Sequence, residues 1–372
     1  MEEIMPAPAL PFWMSMTVLP LVLLAAVYGG WGLAAFSIYT LLVVTALDAV
    51  LSHDTSNADP MTQDKHLFWH KLVTWVWPPV QFVMVFTAIW WAVNGTLTTG
   101  EIIALFAVIG IATGAVGINF SHELIHQRNR WEPRLGEFLL TMVCYGHFRS
   151  EHVLVHHRYV ATPHDPVTAR YNESFFTYFP RVLWQQVVSG FRAEAALLAR
   201  KGKGACSVAH PYWRYGAMTA GFAVLAILLG GWFGLGLFLL QSFVAILYLE
   251  LTNYIEHYGL TRRHLGDGKY EHVKPHHSWN ANHRVSNWFL INLQRHSDHH
   301  YKPDRRFPLL QAYDEADAPQ LPFGYPLMTV MALNPLIFRR VMNKRVKAWR
   351  KRFYPDITDW SDYKAGTTPA PR

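Results

Sequence analysis

Lysine and arginine are absent from long stretches of this chain. None precedes Lys65, none lies between Lys71 and Arg128, and none lies between Arg214 and Arg262. Charged residues make up only 16% of the 372 positions, against roughly 25% in an average soluble domain. Cysteine is nearly missing too. Cys144 and Cys206 stand far apart and form no CxxC pair. The chain therefore brings no thiolate metal site and no disulfide framework of its own. No basic stripe alternates with aromatics and no base-reading motif occurs, which argues against nucleic acid as a partner.

What fills the uncharged stretches is apolar. Runs at Met14–Trp31, Leu33–Leu51, Leu72–Val93 and Ile102–Phe120 are followed by two more, back to back within Tyr215–Leu251 and broken by "GGWFG". Each approaches the roughly 20 residues a helix needs to cross a bilayer. Lipid offers the backbone no hydrogen bonds, so helices are expected rather than strands. The expected fold is an all-α integral membrane protein with six transmembrane helices. The first run follows the acidic "MEEIMP" and lacks the basic start of a cleavable signal. With six crossings, all 33 Lys and Arg residues fall on one side, the pattern of cytoplasmic segments. Both termini are then expected inside. The expected organisation is a single membrane domain over 1–372. Helices 1–4 lie in 13–120, a cytoplasmic cap segment in 121–214, helices 5–6 in 215–251, and a second cap segment with a basic tail in 252–372.

Histidine is in excess, and its placement is ordered. "SHELIH", Ser121–His126, puts His122 and His126 at i,i+4 directly after the fourth run, on one helix face. "QRNRWEP" is expected to end that helix near Glu132, before Pro133. "SEHVLVHH", Ser150–His157, repeats the spacing with His152 and His156 and adds His157, a triplet that suits two metals side by side. "NYIEHYGL", Asn253–Leu260, extends the sixth run and carries His257. "LQRHSDHH", Leu293–His300, offers His296, His299 and His300 on one face. A single interfacial histidine is usually a satisfied polar residue. Nine of them in four helical pieces at one membrane boundary are not explained that way.

Each block also sets an acid beside a histidine: Glu123, Glu151, Glu256 and Asp298. A ligating imidazole commonly gives its second N–H to a carboxylate, so these acids could orient histidines of neighbouring helices. His164 and Asp165, in "TPHDP", are further candidates for that supporting layer. "EHVKPHH", Glu271–His277, mimics the second block. Pro275 would break the helix that aligns His272 with His276, which leaves this copy out of the set.

"HELIH" fits the HExxH pattern of zinc peptidases, but catalytic zinc takes three protein ligands and nine are on offer. Nine nitrogens suit two metals of four or five ligands each. Imidazole accepts iron, copper and zinc alike. A transporter would place polar groups in mid-membrane, whereas these runs hold their histidines at one end. A site that opens toward lipid meets apolar substrates. Activated oxygen is the chemistry that attacks an unactivated C–H bond, which favours iron and leaves copper open.

Taken together, "HELIH", "EHVLVHH", "NYIEHYGL" and "LQRHSDHH" resemble the bacterial membrane-bound alkane 1-monooxygenase family, from about Leu10 to Leu310. The first two blocks are shared with wider membrane desaturases and hydroxylases; the last two are the specific ones. The resemblance implies a non-haem di-iron site of two Fe ions, held by His122, His126, His152, His156, His157, His257, His296, His299 and His300. It implies a bacterial inner membrane location with the metals on the cytoplasmic side. It also implies O2-dependent hydroxylation of the terminal methyl of a medium-chain linear alkane to a 1-alkanol, with electrons from rubredoxin, itself reduced by a rubredoxin reductase. A desaturase or hydroxylase acting on a lipid or other hydrocarbon would use the same histidines. One departure stands out. The family's second block reads EHxxGHH, and Val155 replaces its glycine here. Without CxxC pairs in the chain, the donor is a separate protein. The basic "RRVMNKRVKAWRKRF", Arg339–Phe353, suits either that donor, if acidic, or anionic lipid. Trp and Phe of "TWVWPPVQF" and "FTAIWW", and leucines of the sixth run, are candidate walls for a substrate tunnel.

Overall fold

A computed structural model describes residues 8–360; "MEEIMP" and the end of the second cap segment lie outside it. Four long apolar helices come first: α1 (Leu10–Tyr28), α2 (Gly30–Leu51), α3 (Asp64–Asn94) and α4 (Thr99–Ile125). Then follow α5 (Glu132–Thr141), α6 (148–159) and α7 (Phe175–Ala199). The fifth apolar helix is α8 (Pro211–His257). A small hairpin, β1 (His264–Gly266) with β2 (Lys269–Tyr270), precedes four more helices. These are α9 (Arg284–Phe289), α10 (His296–Tyr301), α11 (Tyr325–Ala332) and α12 (Pro335–Phe353).

Among the described residues, five helices are thus long and apolar enough to cross a membrane. The fifth has 47 residues, which at 1.5 Å per residue is about 70 Å, more than twice a bilayer core. It is not straight. Gly231 takes φ 61°, ψ −154°, a conformation open to glycine because it lacks Cβ. Beyond it Gly234 lies against the backbone of Ala226, so the chain folds back. Gly29 does the same between α1 and α2, with φ 58° and Gly32 packed on the backbone of Leu24.

The histidine-bearing helices α4 and α8 approach closely. A Cβ on Gly110 would stand 2.5 Å from Val244, and one on Gly114 would stand 2.9 Å from the Ala245 carbonyl. Trp77, Phe106, Phe120 and Phe238 fill the adjoining core. Two hydrogen-bonded ties seat the cap on these helices. The Asp48 carboxylate, near the end of α2, accepts from the N–H groups of Val285 (2.8 Å) and Ser286 (2.9 Å) at the start of α9, as a helix cap does. Asn119 of α4 donates to the Leu290 carbonyl at 2.7 Å. Both steer the chain into α10.

One boundary differs from the sequence reading. The helix that carries "SHELIH" ends at Ile125, not near Glu132, and Pro133 opens α5 instead of closing α4. Proline is well tolerated in a first helical turn, where its missing N–H has no partner to lose. α5 then packs back on α4, with Ser121 Oγ donating to the Gly136 carbonyl at 2.8 Å. Three π-helical segments interrupt the regular helices: Ile38–Val43 in α2, Thr113–Ile118 in α4 and His152–His156 in α6. Such segments are frequent at functional sites; the third carries His152 and His156, and the second leads into His122.

Candidate metal centre

The structure brings all nine sequence-selected histidines together, in two adjoining cages. His122, His126, His152, His157 and His299 form one; His156, His257, His296 and His300 form the other. Within each cage the ligand atoms all lie within 4.8 Å of one another. In the first, Nε2 of His152 is 3.0 Å from that of His126 and from that of His157, which is 3.0 Å from His299. In the second, Nε2 of His300 is 3.2 Å from His156 and 3.0 Å from His296, and His296 is 3.1 Å from His257. The cages touch: the His157 and His300 rings are 4.6 Å apart.

The π-segment decides the partition. In a regular α-helix His152 and His156 would share a face, and His157 would diverge. Widening to i,i+5 across His152–His156 instead pairs His152 with His157 and turns His156 into the other cage. Val155 is buried within that segment. α10 divides similarly, with His299 in the first cage and His296 and His300 in the second. The sequence placed these three on one face; the structure spreads them over two.

This donor set fits a pair of metal ions. A neutral imidazole carries one N–H and one lone pair. Four Nε2 atoms crowded at about 3 Å cannot all satisfy one another, whereas a cation at their centre accepts every lone pair. Several of the histidines are held neutral, as ligation requires. Burial pushes His126 down to about 3. Burial first, then repulsion from neighbouring histidines, keeps His152, His157, His299 and His300 well below the ordinary imidazole value. The two cages are consistent with a non-haem di-iron site.

The acids separate into distinct roles. Asp165 Oδ2 lies 2.9 Å from His156 Nδ1 and is itself held by the Thr168 hydroxyl at 2.6 Å. Glu256 lies on the inner side, its Oε2 3.3 Å from His296 Nε2. Asp298 meets Arg305 at 2.5 Å and the Tyr313 hydroxyl at 2.9 Å. Glu123 accepts from Gln127 at 3.0 Å and has Arg306 at 3.9 Å. Glu151 is fully buried, and burial, with Asp165 and Glu250 near, raises it well above the carboxylate range. His164 stands apart, between Tyr159 and Tyr270.

Glu271, His276 and His277 form a third group within 4.8 Å, where Pro275 opens a short 3-10 turn. His277 Nδ1 accepts from the Lys274 backbone N–H at 2.9 Å, so its proton sits on Nε2, which donates to the Tyr354 hydroxyl at 2.7 Å. Tyr354 in turn donates to Glu271. With Nε2 protonated and no lone pair there for a cation, this group is a polar clasp on the end of α12.

The sequence reading expected a tunnel beside the metals, walled by membrane helices, and the structure has space there. A chamber lined by His122, His152, His296, Asn253 and Glu256 adjoins them. It abuts a larger apolar cavity of about 240 Å³ across Ala115, Tyr248 and Leu290. Leu247 and Leu251 of the last apolar run line that cavity, with Thr40 and Leu41 of α2 and Val330 of α11. The Trp and Phe candidates of α3 do not; Trp91 and Pro79 border a separate groove toward α1. Thr40, Leu41 and Ala115 belong to the π-segments of α2 and α4.

Residues 101–331 match the fatty acid desaturase family model. The chain is 37% identical to alkane 1-monooxygenase 2 of Pseudomonas aeruginosa, over 85% of each chain. It is 45% identical to alkane 1-monooxygenase 2 of Alcanivorax borkumensis, over 65% of this chain and 63% of that one. The xylene/toluene monooxygenase hydroxylase component of Pseudomonas putida is more distant, at 26% identity. The chain belongs to the membrane fatty acid desaturase and alkane hydroxylase family, closely related to the bacterial alkane 1-monooxygenases.

Proposed function

We propose that the chain is a rubredoxin-dependent di-iron alkane 1-monooxygenase. His122, His126, His152, His157 and His299 would hold one iron; His156, His257, His296 and His300 would hold the other. The observation that carries this reading is the pair of histidine cages beside an apolar cavity. When bound, the irons supply the activation of O2 from which one oxygen atom enters a C–H bond. The balance is alkane, O2, two electrons and two protons giving 1-alkanol and water.

The chain's own residues do the rest. Asp165 fixes the tautomer and orientation of His156. An alkane has no polar handle, so burial alone binds it. At about 0.8 kcal/mol per CH2, eight methylenes contribute about 6 kcal/mol before ordering costs. Entry end-on past Tyr248 and Leu290 would present the terminal methyl to the chamber. The Lys and Arg asymmetry supports six crossings, both termini and the metals facing the cytoplasm, and a bacterial inner membrane. Rubredoxin would dock where the first cage comes nearest the surface. His126 and His157 are its partly exposed members, and Arg128, Arg158 and Lys302 are exposed around them, a basic edge suited to an acidic donor.

The test is a product assay with purified enzyme, rubredoxin, its reductase and octane or dodecane. A primary alcohol is expected. An alkene would move the reading to a desaturase, and iron-loaded enzyme that converts neither hydrocarbon would contradict it.

A further inference from the structure

No charged residue occurs between Asp317 and Arg339, and basic residues crowd the segment that follows. This stretch forms α11, a sharp turn at Leu333–Pro335, and the start of α12. α11 is preceded by its N-cap Gly324, which lies against Asp48 near the end of α2. It is followed by Leu333, which shares a cavity wall with Thr40 and Leu41 in the middle of α2. Its eight residues span about 12 Å, close to the length of α2 over the nine residues from Asp48 to Thr40. α12 then returns. Phe338 packs 5.0 Å from Tyr254 and 4.9 Å from Tyr258, and the helix ends at the Glu271–His277 clasp.

We propose that α11 and the first turn of α12 form a re-entrant hairpin. It dips into the leaflet on the histidine side without crossing, and its tip borders the mouth of the apolar cavity. The tip exposes large apolar side chains: Leu336 is 80% exposed, Ile337 51% and Leu333 43%. Its backbone is prepared for hydrocarbon, where an unpaired polar group is costly. Leu333 N–H donates to the Val330 carbonyl and Asn334 N–H to the Met331 carbonyl. The Asn334 side chain caps Ile337 N–H at 3.2 Å, and Pro335 has no N–H to satisfy. Where α12 climbs out, Arg340 and Lys344 are exposed, and with their long side chains extended toward the surface anionic headgroups are the partner they fit. This assigns the basic helix to lipid. Val330 and Leu333 line the cavity and are also exposed. The hairpin is therefore a wall of the lateral entrance, a role that rests on the alkane reading above; its insertion does not.

Insertion is tested with spin labels on a Cys144→Ala, Cys206→Ser background, in bilayer discs containing phosphatidylglycerol. A label at Leu336→Cys should be relaxed by oxygen and shielded from a soluble nickel chelate. One at Lys347→Cys, on the exposed basic face, should show the reverse. Equal nickel access at both positions overturns insertion, whatever the enzyme does with alkanes. For the entrance, Leu333→Trp should raise KM for dodecane more than it lowers kcat, with iron content retained. An unchanged KM overturns that role and leaves insertion standing.

Discussion

Glu151–His157 and Glu271–His277 carry nearly one motif twice, EHVLVHH and EHVKPHH. The first sits in a helix whose π-segment aims three imidazoles at two neighbouring points. The second begins in irregular backbone and ends in a 3-10 turn opened by proline. There one imidazole is pinned by the Lys274 backbone, and its outward N–H is given to Tyr354. His276 stacks on Phe353 with centroids 4.4 Å apart. The pair teaches that histidine spacing carries metal chemistry only through helix phase and through which nitrogen keeps its lone pair.

The largest effect should come from exchanging the feature that separates the two. Val155→Pro removes an N–H inside the π-segment, where proline costs about 3 kcal/mol or more. It displaces histidines of both cages, so both irons should be lost, while Pro275→Val leaves iron content unchanged. Metal analysis of the two purified variants checks this; iron retained in Val155→Pro would sink the proposed partition. Next comes Asp165→Asn, which keeps shape and removes the charge that orients His156. Activity should fall roughly 10- to 100-fold, with rubredoxin binding unaffected.

The pH response separates the regions less sharply. Histidines buried neutral bind fewer protons folded than unfolded. Stability of the metal-free protein should therefore fall as pH drops below about 6.5, by about 1.4 kcal/mol per pH unit for each histidine affected. Glu271 acts with the same sign in a lower window: although burial opposes it, the nearby His277 imidazole, the Tyr354 hydroxyl and the Arg263 backbone N–H hold its pKa below the usual carboxylate range. Its contribution persists until pH falls below about 4.3. Denaturant titrations of wild type and Glu271→Gln across pH 2.5–8 should show one slope above that point and, below it, a steeper loss in wild type than in the variant. The smallest effect is expected for His276→Ala. Loss of the Phe353 contact should lower stability by about 1 kcal/mol and leave iron content and turnover unchanged.

The apolar runs and the four histidine blocks were legible because both are periodic: uncharged length for the helices, and i,i+4 spacing for His122 with His126 and His296 with His300. The partition was not, because no residue between His152 and His156 announces a π-turn. Pro133 was misplaced because proline marks a helix start as readily as an end. Of the neighbouring acids, Asp298 faces arginine and tyrosine across the cap, a tertiary pairing that chain proximity to His299 conceals. The Gly324–Phe338 stretch escaped notice because Asn334–Pro335 splits it into halves too short for a crossing.

The most direct measurement is iron, zinc and copper per chain in detergent-purified, active protein. About two irons per chain are expected from the two cages. One zinc and no iron, in intact protein active on a peptide, would contradict the nine-histidine centre.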